Sequence, residues 1–350
     1  MNRIKYIISL CVISTVFVSL KVVAIEKIVV KSPNNKLEVF VTLDESIHYS
    51  IKHSGQVILD KSTIGMQLSD GKILGFKTKL TSKKERQLNE EINSPFYRSS
   101  SVKSDCNELN LRFKDGLGVI FRVYNQGVTY RLYTSIKSDI TITDEIAEFK
   151  FDSDYTAYLS HSTNSDNPFA MAFQNIYEVN PLSQSDSTLV FLPITVDVTN
   201  GKKVTITESD LESYPGMFLK VDQSDKSLKG VFASYPSSFD YYPWRYQKYI
   251  VDRSDFIAKT SGSRTYPWRI IAISERDTEM PVNDLVYLHG SPNRIGDASW
   301  VKPGKVAWEW WNNWGLYGVD FEAGININTY KYYIDFASRF GIEYIVLDEG

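Results

Sequence analysis

The sequence predicts a large, mostly antiparallel β-sandwich followed by a strand–helix–strand unit of a parallel sheet or barrel. Two observations carry this. From about residue 25 to 290, short apolar–polar alternations recur between turn signals, with almost no long helical period. Beyond residue 290 a period of three and four appears between two apolar runs. A third observation concerns chemistry: five of the seven tryptophans crowd between Trp300 and Trp314.

Residues 1–24 read as a secretory signal. Arg3 and Lys5 supply positive charge, 7–20 is apolar, and Ala24 offers a small residue for cleavage. A retained anchor is the alternative, but the apolar stretch is short for spanning and Lys21 closes it. No stable membrane span is expected once the signal is removed. Removal would take Cys11 and leave Cys106 alone, so no internal disulfide is expected.

The sandwich is assigned to 25–290. Leu37, Val39, Val41 and Leu43 alternate with polar or exposed-type positions, as a strand with one buried face does. Residues 109–113 meet an Asp115-Gly116 turn. Then come 119–124, an Asn125-Gln126-Gly127 turn and 128–133. These turns admit positive φ and read as hairpins. Tyr-Pro-Trp-Arg occurs at 242–245 and 266–269; two copies make no repeat architecture and are expected to reflect convergent strand-end chemistry.

Near residue 290 the grammar changes. Residues 289–297 form a polar, turn-rich linker. Residues 305–311 are expected to be a buried strand. Tyr330, Tyr333, Ile334, Ala337 and Phe340 mark one face of a helix, with Asn328 as its N-cap and Gly341 as its stop. Residues 343–347 form a second strand. Such a unit needs parallel strands and a right-handed crossover. It cannot bury both faces of its sheet alone, so the barrel assigned to 291–350 is expected to be incomplete and the chain truncated.

A formal net charge of −3 gives no basic surface for nucleic acid. Composition, at 43% hydrophobic and 13% aromatic, supports sizeable cores. The four histidines are scattered, with no His/Cys spacing for a metal. Aromatic faces beside acid and amide side chains in WVKPGKVAWEWWNNW (300–314) suit a sugar ring; a tryptophan-rich core segment is the other reading. In a barrel, active residues sit at the C-terminal strand ends. That places Trp310, Trp311 and Asn312 at one end, and Asp348 and Glu349 at the next. Adjacent strand residues point to opposite faces, so Asp348 and Glu349 do not make a glycosidase carboxylate pair. One of them is expected to reach a sugar hydroxyl, or else to cap a loop.

The segments NQGVTYR (125–131), ESDLESYPGM (208–217), YPWRII (266–271), SWVKPG (299–304), WEWW (308–311) and YKYYIDF (330–336) are together specific. On them the chain resembles glycoside hydrolase family 97, the exo-acting α-glycosidases related to the SusB α-glucosidase. The resemblance implies a galactose-mutarotase-like N-terminal sandwich, a catalytic (β/α)8 TIM barrel and a small C-terminal β domain. It implies two possible chemistries: an inverting α-glucosidase or a retaining α-galactosidase. The 308–313 run and the Leu-Asp-Glu-Gly ending resemble the second, whose nucleophile and acid/base are implied to lie beyond residue 350.

The resemblance also implies active-site calcium, with one ligand from a sandwich loop at AFQNIYE (172–178). Asn175 falls nearest that ligand position; Glu178 and Glu208 are the fallbacks, and each is also read as a surface or turn residue. An amide oxygen ligates Ca²⁺ with less charge than a carboxylate. The leading expectation is thus an exported, periplasmic, calcium-dependent retaining α-galactosidase acting on an oligosaccharide or α-galactoside, inactive as this piece alone. A non-catalytic carbohydrate-binding sandwich is the reading from another class, which the strand–helix–strand tail disfavours.

Overall fold

The computed structural model describes residues 26–94, 96–244 and 247–348 of the 350. The signal expected at 1–24 and the candidate Glu349 lie outside these. The chain divides into two compact units. The first holds residues up to Ile92 together with Val102–Gly290, and the second holds Asn93–Ser101 with Ser291–Gly350.

The first unit is an antiparallel β-sandwich. One sheet runs Glu26–Lys31, Leu37–Leu43, Ile47–His53, Gln56–Leu68 and Ile140–Lys150 in hydrogen-bonded order, ending at Ala258–Thr260. The other runs Ser101–Phe113, Leu117–Tyr124, Gly127–Ser135, Ser263–Ser274, Lys202–Ser209, Val190–Val198, Thr156–His161 and Glu178–Pro181. Ser227–Phe232 joins the second sheet through Met217–Asp222, which pairs with it and meets Val190 at Leu219. The strand Ile140–Lys150 thus belongs to both sheets: its first part pairs with Ile64–Leu68 and its end with Ser227–Lys229.

The alternation read at 37–43 is the alternation observed. Leu37, Val39 and Val41 are fully buried and Glu38, Phe40 and Thr42 half-buried, with Leu43 also half-buried at the strand's end. The core is where the two inner faces meet. Tyr49 of one sheet lies 5.4 Å and 5.9 Å from Tyr130 and Phe121 of the other, ring centre to ring centre. These are tilted contacts of the kind aromatic pairs prefer. Tyr49 keeps its hydroxyl satisfied by donating to the Glu148 carbonyl at 2.9 Å. Cys106 is a buried free thiol whose burial pushes its pKa up to about 11.

The two Tyr-Pro-Trp-Arg copies do not share an environment. Trp268 is 3% exposed in the middle of Ser263–Ser274, whereas Trp244 is 71% exposed past the end of Pro236–Tyr241. Pro267, which donates nothing to a ladder, falls where the register with Gly127–Ser135 shifts. The expectation of common strand-end chemistry is therefore corrected. His289 also moves: expected in the linker, it is 3% exposed and follows a short helix, Leu285–Leu288, in the sandwich unit.

The second unit holds the strand–helix–strand. Val306–Trp308 pairs in parallel with Tyr344–Val346, joined through the helix Ile327–Phe340. Gly341 ends the helix at φ 67°, as expected of a left-handed C-cap. The N-cap is Asn326, not Asn328: the Asn326 side chain accepts the Thr329 N–H at 3.0 Å, and Asn328 lies inside the first turn. The first strand is shorter than expected. After Trp308 the chain enters a 3-10 turn, Trp310–Asn312, and Asn313 and Trp314 follow at φ 53° and 52°. Asparagine tolerates that left-handed region, and the Asn-Asn-Trp-Gly sequence thus outweighs the β preference of the tryptophans. The apolar stripe of the helix is wider than two three-residue strands cover: Ala337 is buried, while Ile334 and Phe340 are 51% and 61% exposed. Among the described residues no helix is long and apolar enough to cross a membrane.

Candidate functional site

The tryptophan run forms a cluster at the C-terminal end of the first parallel strand. Trp308 stacks on Trp310 with ring centres 5.6 Å apart and planes at 25°, and lies 5.8 Å from Trp311 at 30°. Trp311 is the most open of the three. Because Trp310 and Trp311 stand in a 3-10 turn, they do not alternate inward and outward as strand residues would; both gather beside Trp308. Asn312 donates from Nδ2 to the Gly315 carbonyl at 2.9 Å and accepts the Tyr333 hydroxyl on Oδ1 at 2.7 Å. The turn is thereby fastened to the helix.

Asp348, exposed, follows the second strand. Its backbone N–H donates to Glu309 Oε1 at 2.9 Å. The structure thus brings Trp310, Trp311, Asn312 and Asp348 to one end of the two strands. Glu309 is the residue that sequence reasoning missed there. It is fully buried between exposed tryptophans. Its only sequence signal was a lone acid inside an aromatic run.

The three calcium candidates stand apart chemically. Asn175 is exposed, and its Nδ2 donates to Thr163 Oγ1 at 3.4 Å; its carbonyl oxygen accepts no hydrogen bond among the described residues. Glu178 is spoken for. It pairs with His161 Nε2 and accepts from Asn180 Nδ2 at 2.7 Å and from the Asp186 N–H. Glu208 accepts the Met217 N–H at 3.1 Å and pairs with Arg269. Burial raises the Glu208 pKa against the opposing pull of Arg269. As a fit for calcium, Asn175 offers one neutral oxygen, while either glutamate would first have to give up its partners. Among the described residues no group of three His, Cys, Asp or Glu side chains is placed to hold a metal ion.

Two further constellations lie inside the sandwich. Arg269, 1% exposed, donates Nε to Glu145 Oε1 and Nη2 to Glu145 Oε2, both at 2.8 Å, while Nη1 reaches Glu208. Beside it, Trp268 has the guanidinium groups of Arg122 and Arg131 within 4.8 Å and 4.9 Å of its ring centre. Tryptophan is the best aromatic acceptor for a cation. Arg131 is held by Asp210 at 3.0 Å. Arg131, Glu208, Asp210, Trp268 and Arg269 fall within segments on which the family resemblance rests, whereas Arg122 and Glu145 do not. Burial marks both constellations as scaffold.

Comparison with known proteins follows the two units. The model of the glycosyl-hydrolase 97 N-terminal domain matches residues 30–292, and that of glycoside hydrolase 97 matches residues 308–350. A retaining alpha-galactosidase of Bacteroides thetaiotaomicron is 39% identical over 357 aligned residues, covering 100% of this chain and 53% of that protein. A probable retaining alpha-galactosidase of Streptomyces bingchenggensis is 23% identical, over 91% of this chain and 45% of its own length. The chain thus spans about half the length of these curated relatives. Among solved structures, a family 97 enzyme of Pseudoalteromonas sp. strain K8 in complex with acarbose superposes with a TM-score of 0.74 at 23% identity, over 91% of this chain and 46% of that one. A beta-arabinopyranosidase does so at 0.68 and 24%, over 91% and 50%. These last two likenesses speak to fold. With its sandwich matched almost end to end and the stretch from Trp308 through the helix and second parallel strand matched by the second model, the chain belongs to glycoside hydrolase family 97.

Proposed function

We propose that the full-length protein is an exported, calcium-dependent retaining α-galactosidase that releases terminal α-galactose from an oligosaccharide or α-galactoside. The observation that carries this is the 39% identity, along the entire chain, to a retaining alpha-galactosidase. The tryptophan stack with Asn312 and Asp348 at one strand end supports a sugar-binding role for that end. Stacked faces meet the C–H side of the ring, and the amide and carboxylate meet its hydroxyls. In a double displacement, a carboxylate attacks the anomeric carbon, an acid protonates the departing oxygen, and water later releases the sugar. Both carboxylates are assigned beyond residue 350, so residues 1–350 alone are expected to turn nothing over. Calcium, when bound, would orient sugar or acid and balance charge; Asn175 is the sandwich residue best suited to reach it. The signal read at 1–24 supports a periplasmic destination.

The test is hydrolysis of p-nitrophenyl α-galactoside by the full-length protein, with the first-formed anomer followed by NMR. α-Galactose appearing first supports the proposal. Preference for the α-glucoside with β-glucose appearing first would make it the inverting α-glucosidase instead. Sugar binding with no turnover of either would leave a binding module.

A further inference from the structure

Glu309 sits in an unusual setting. Its side chain is fully buried while Trp308, Trp310 and Trp311 around it are 37%, 45% and 78% exposed. Three links hold it. Oε1 accepts the Asp348 N–H at 2.9 Å, and its backbone carbonyl accepts the Trp314 N–H at 3.0 Å. Through the chain it lies between Trp308, the last ladder residue of the first strand, and the 3-10 turn carrying Trp310 and Trp311. Oε2 is buried and accepts no hydrogen bond among the described residues.

Burying a carboxylate costs free energy, and a residue kept for packing alone would be apolar. What the carboxylate provides here is geometry. The parallel ladder stops at Trp308↔Val346, two residues short of Asp348. The Glu309–Asp348 hydrogen bond continues the connection beyond the ladder, where the candidate sugar-binding side chains begin. Loss of that acceptor would leave the Asp348 N–H without its partner and both strand ends free to splay.

We propose that Glu309 is a positioning residue: its Oε1 clamps the ends of the two parallel strands, fixing the Asp348 carboxylate relative to the Trp308–Trp310–Trp311 stack. The proposal rests on the reading of this end as the sugar-binding end. Glu309 acts through Asp348 and the tryptophans without touching sugar itself.

The experiment is a double-mutant cycle in the full-length protein, with kcat, KM and Tm measured on p-nitrophenyl α-galactoside for Glu309→Gln, Glu309→Ala, Asp348→Ala and the double alanine variant. Glutamine keeps a carbonyl acceptor for the Asp348 N–H, so its KM is expected to stay within about threefold of wild type. Glu309→Ala is expected to raise KM about tenfold, with a smaller change in kcat. Asp348→Ala keeps the backbone N–H that Glu309 holds but removes the carboxylate it positions, so in that background Glu309→Ala is expected to raise KM by a smaller factor than in wild type, through the tryptophans alone. Multiplying effects would overturn the clamp, as would glutamine failing as badly as alanine. If Glu309→Ala does not fold, the glutamine variant still decides: a KM near wild type supports the clamp, and a large rise refutes it. Unchanged KM in Asp348→Ala would remove the sugar-binding reading itself. A raised KM in Asp348→Ala with none in Glu309→Ala would refute the clamp alone.

Discussion

Trp268 meets His289 edge to face, ring centres 4.3 Å apart at 75°. Two hydrogen bonds fix which form of the histidine is present. The Leu285 carbonyl only accepts, so Nδ1 carries the proton and donates to it at 2.8 Å; Nε2 then accepts the Thr129 hydroxyl at 2.8 Å. The ring is neutral and saturated. Burial, opposed by the hydrogen bond to the Leu285 carbonyl and by Asp210 but joined by the positive charge of Arg122 and Arg131, pushes its pKa down to about 3.

A depressed histidine pKa means that the unfolded chain binds the proton more readily. Stability from the neutral ring is fully present above the ordinary value of 6.5 and is lost as pH falls toward about 3. The slope within that window is roughly 1.4 kcal/mol per pH unit. Urea midpoints measured from about pH 7 down to pH 4 should fall faster for wild type than for His289→Gln, which does not titrate. Parallel curves would refute the assignment.

Removing Arg269 leaves Glu145, 2% exposed, as a buried charge without its partner. Arg269→Met is expected to cost about 3–5 kcal/mol in urea unfolding. Arg269→Lys is expected to recover only part of this, because one ammonium cannot reproduce the bidentate pair and also reach Glu208. A lysine variant as stable as wild type would show that charge alone suffices.

How much of this was legible in the sequence depended on range. Leu37, Val39 and Val41 announce their strand because side chains alternate with a period of two, and nothing distant overrides it. Gly341 announces the helix end because few residues take φ 67° without strain. The N-cap slipped because Asn326 and Asn328 are equally good caps by type, and the choice rests on which side chain meets the Thr329 N–H. Trp310 and Trp311 read as strand because aromatic β preference was weighed without the left-handed pair after them. Glu145 and Arg269 stand 124 residues apart, and no local spacing links them. Glu309 was hidden for the same reason: its burial comes from a fold around it, and its partner is 39 residues away.

Gly118 faces Tyr133 across the hairpin, and a Cβ there would lie 2.0 Å from the ring carbon Cζ. The ring has little room to give, since its hydroxyl donates to Asn110 at 2.8 Å. Gly118→Ala is expected to destabilise by about 1–3 kcal/mol through overpacking. Adding Tyr133→Ala should cost less in that background than in wild type. Simple additivity in the measured unfolding free energies would show that the ring is not what excludes a side chain.

The stacked cluster predicts unequal roles for its tryptophans. Trp311 is the most exposed, and Trp308 is flanked by the other two rings. Trp311→Ala or Trp310→Ala in the full-length protein is expected to lower kcat/KM on an α-galactoside about tenfold. Trp308→Ala is expected to lower Tm as well, because it removes the ring on which both neighbours rest. Unchanged kcat/KM at both 310 and 311 would place the sugar elsewhere.

Calcium separates the enzyme reading from the binding-module reading. If Asn175 supplies one ligand from the sandwich, residues 1–350 present one neutral oxygen, far short of the roughly six to eight that calcium prefers. Glu178 and Glu208 add little, being held by His161 and Arg269. Residues 1–350 should therefore bind calcium weakly or not at all in calorimetry, and the full-length protein should bind it and lose activity to chelator. In the full-length protein Asn175→Ala should raise the calcium concentration needed for activity, and Asn175→Asp, which adds charge, should lower it. Tight stoichiometric binding by residues 1–350 would show that the sandwich owns a complete site, and Asn175 as a lone bridging ligand would then be wrong.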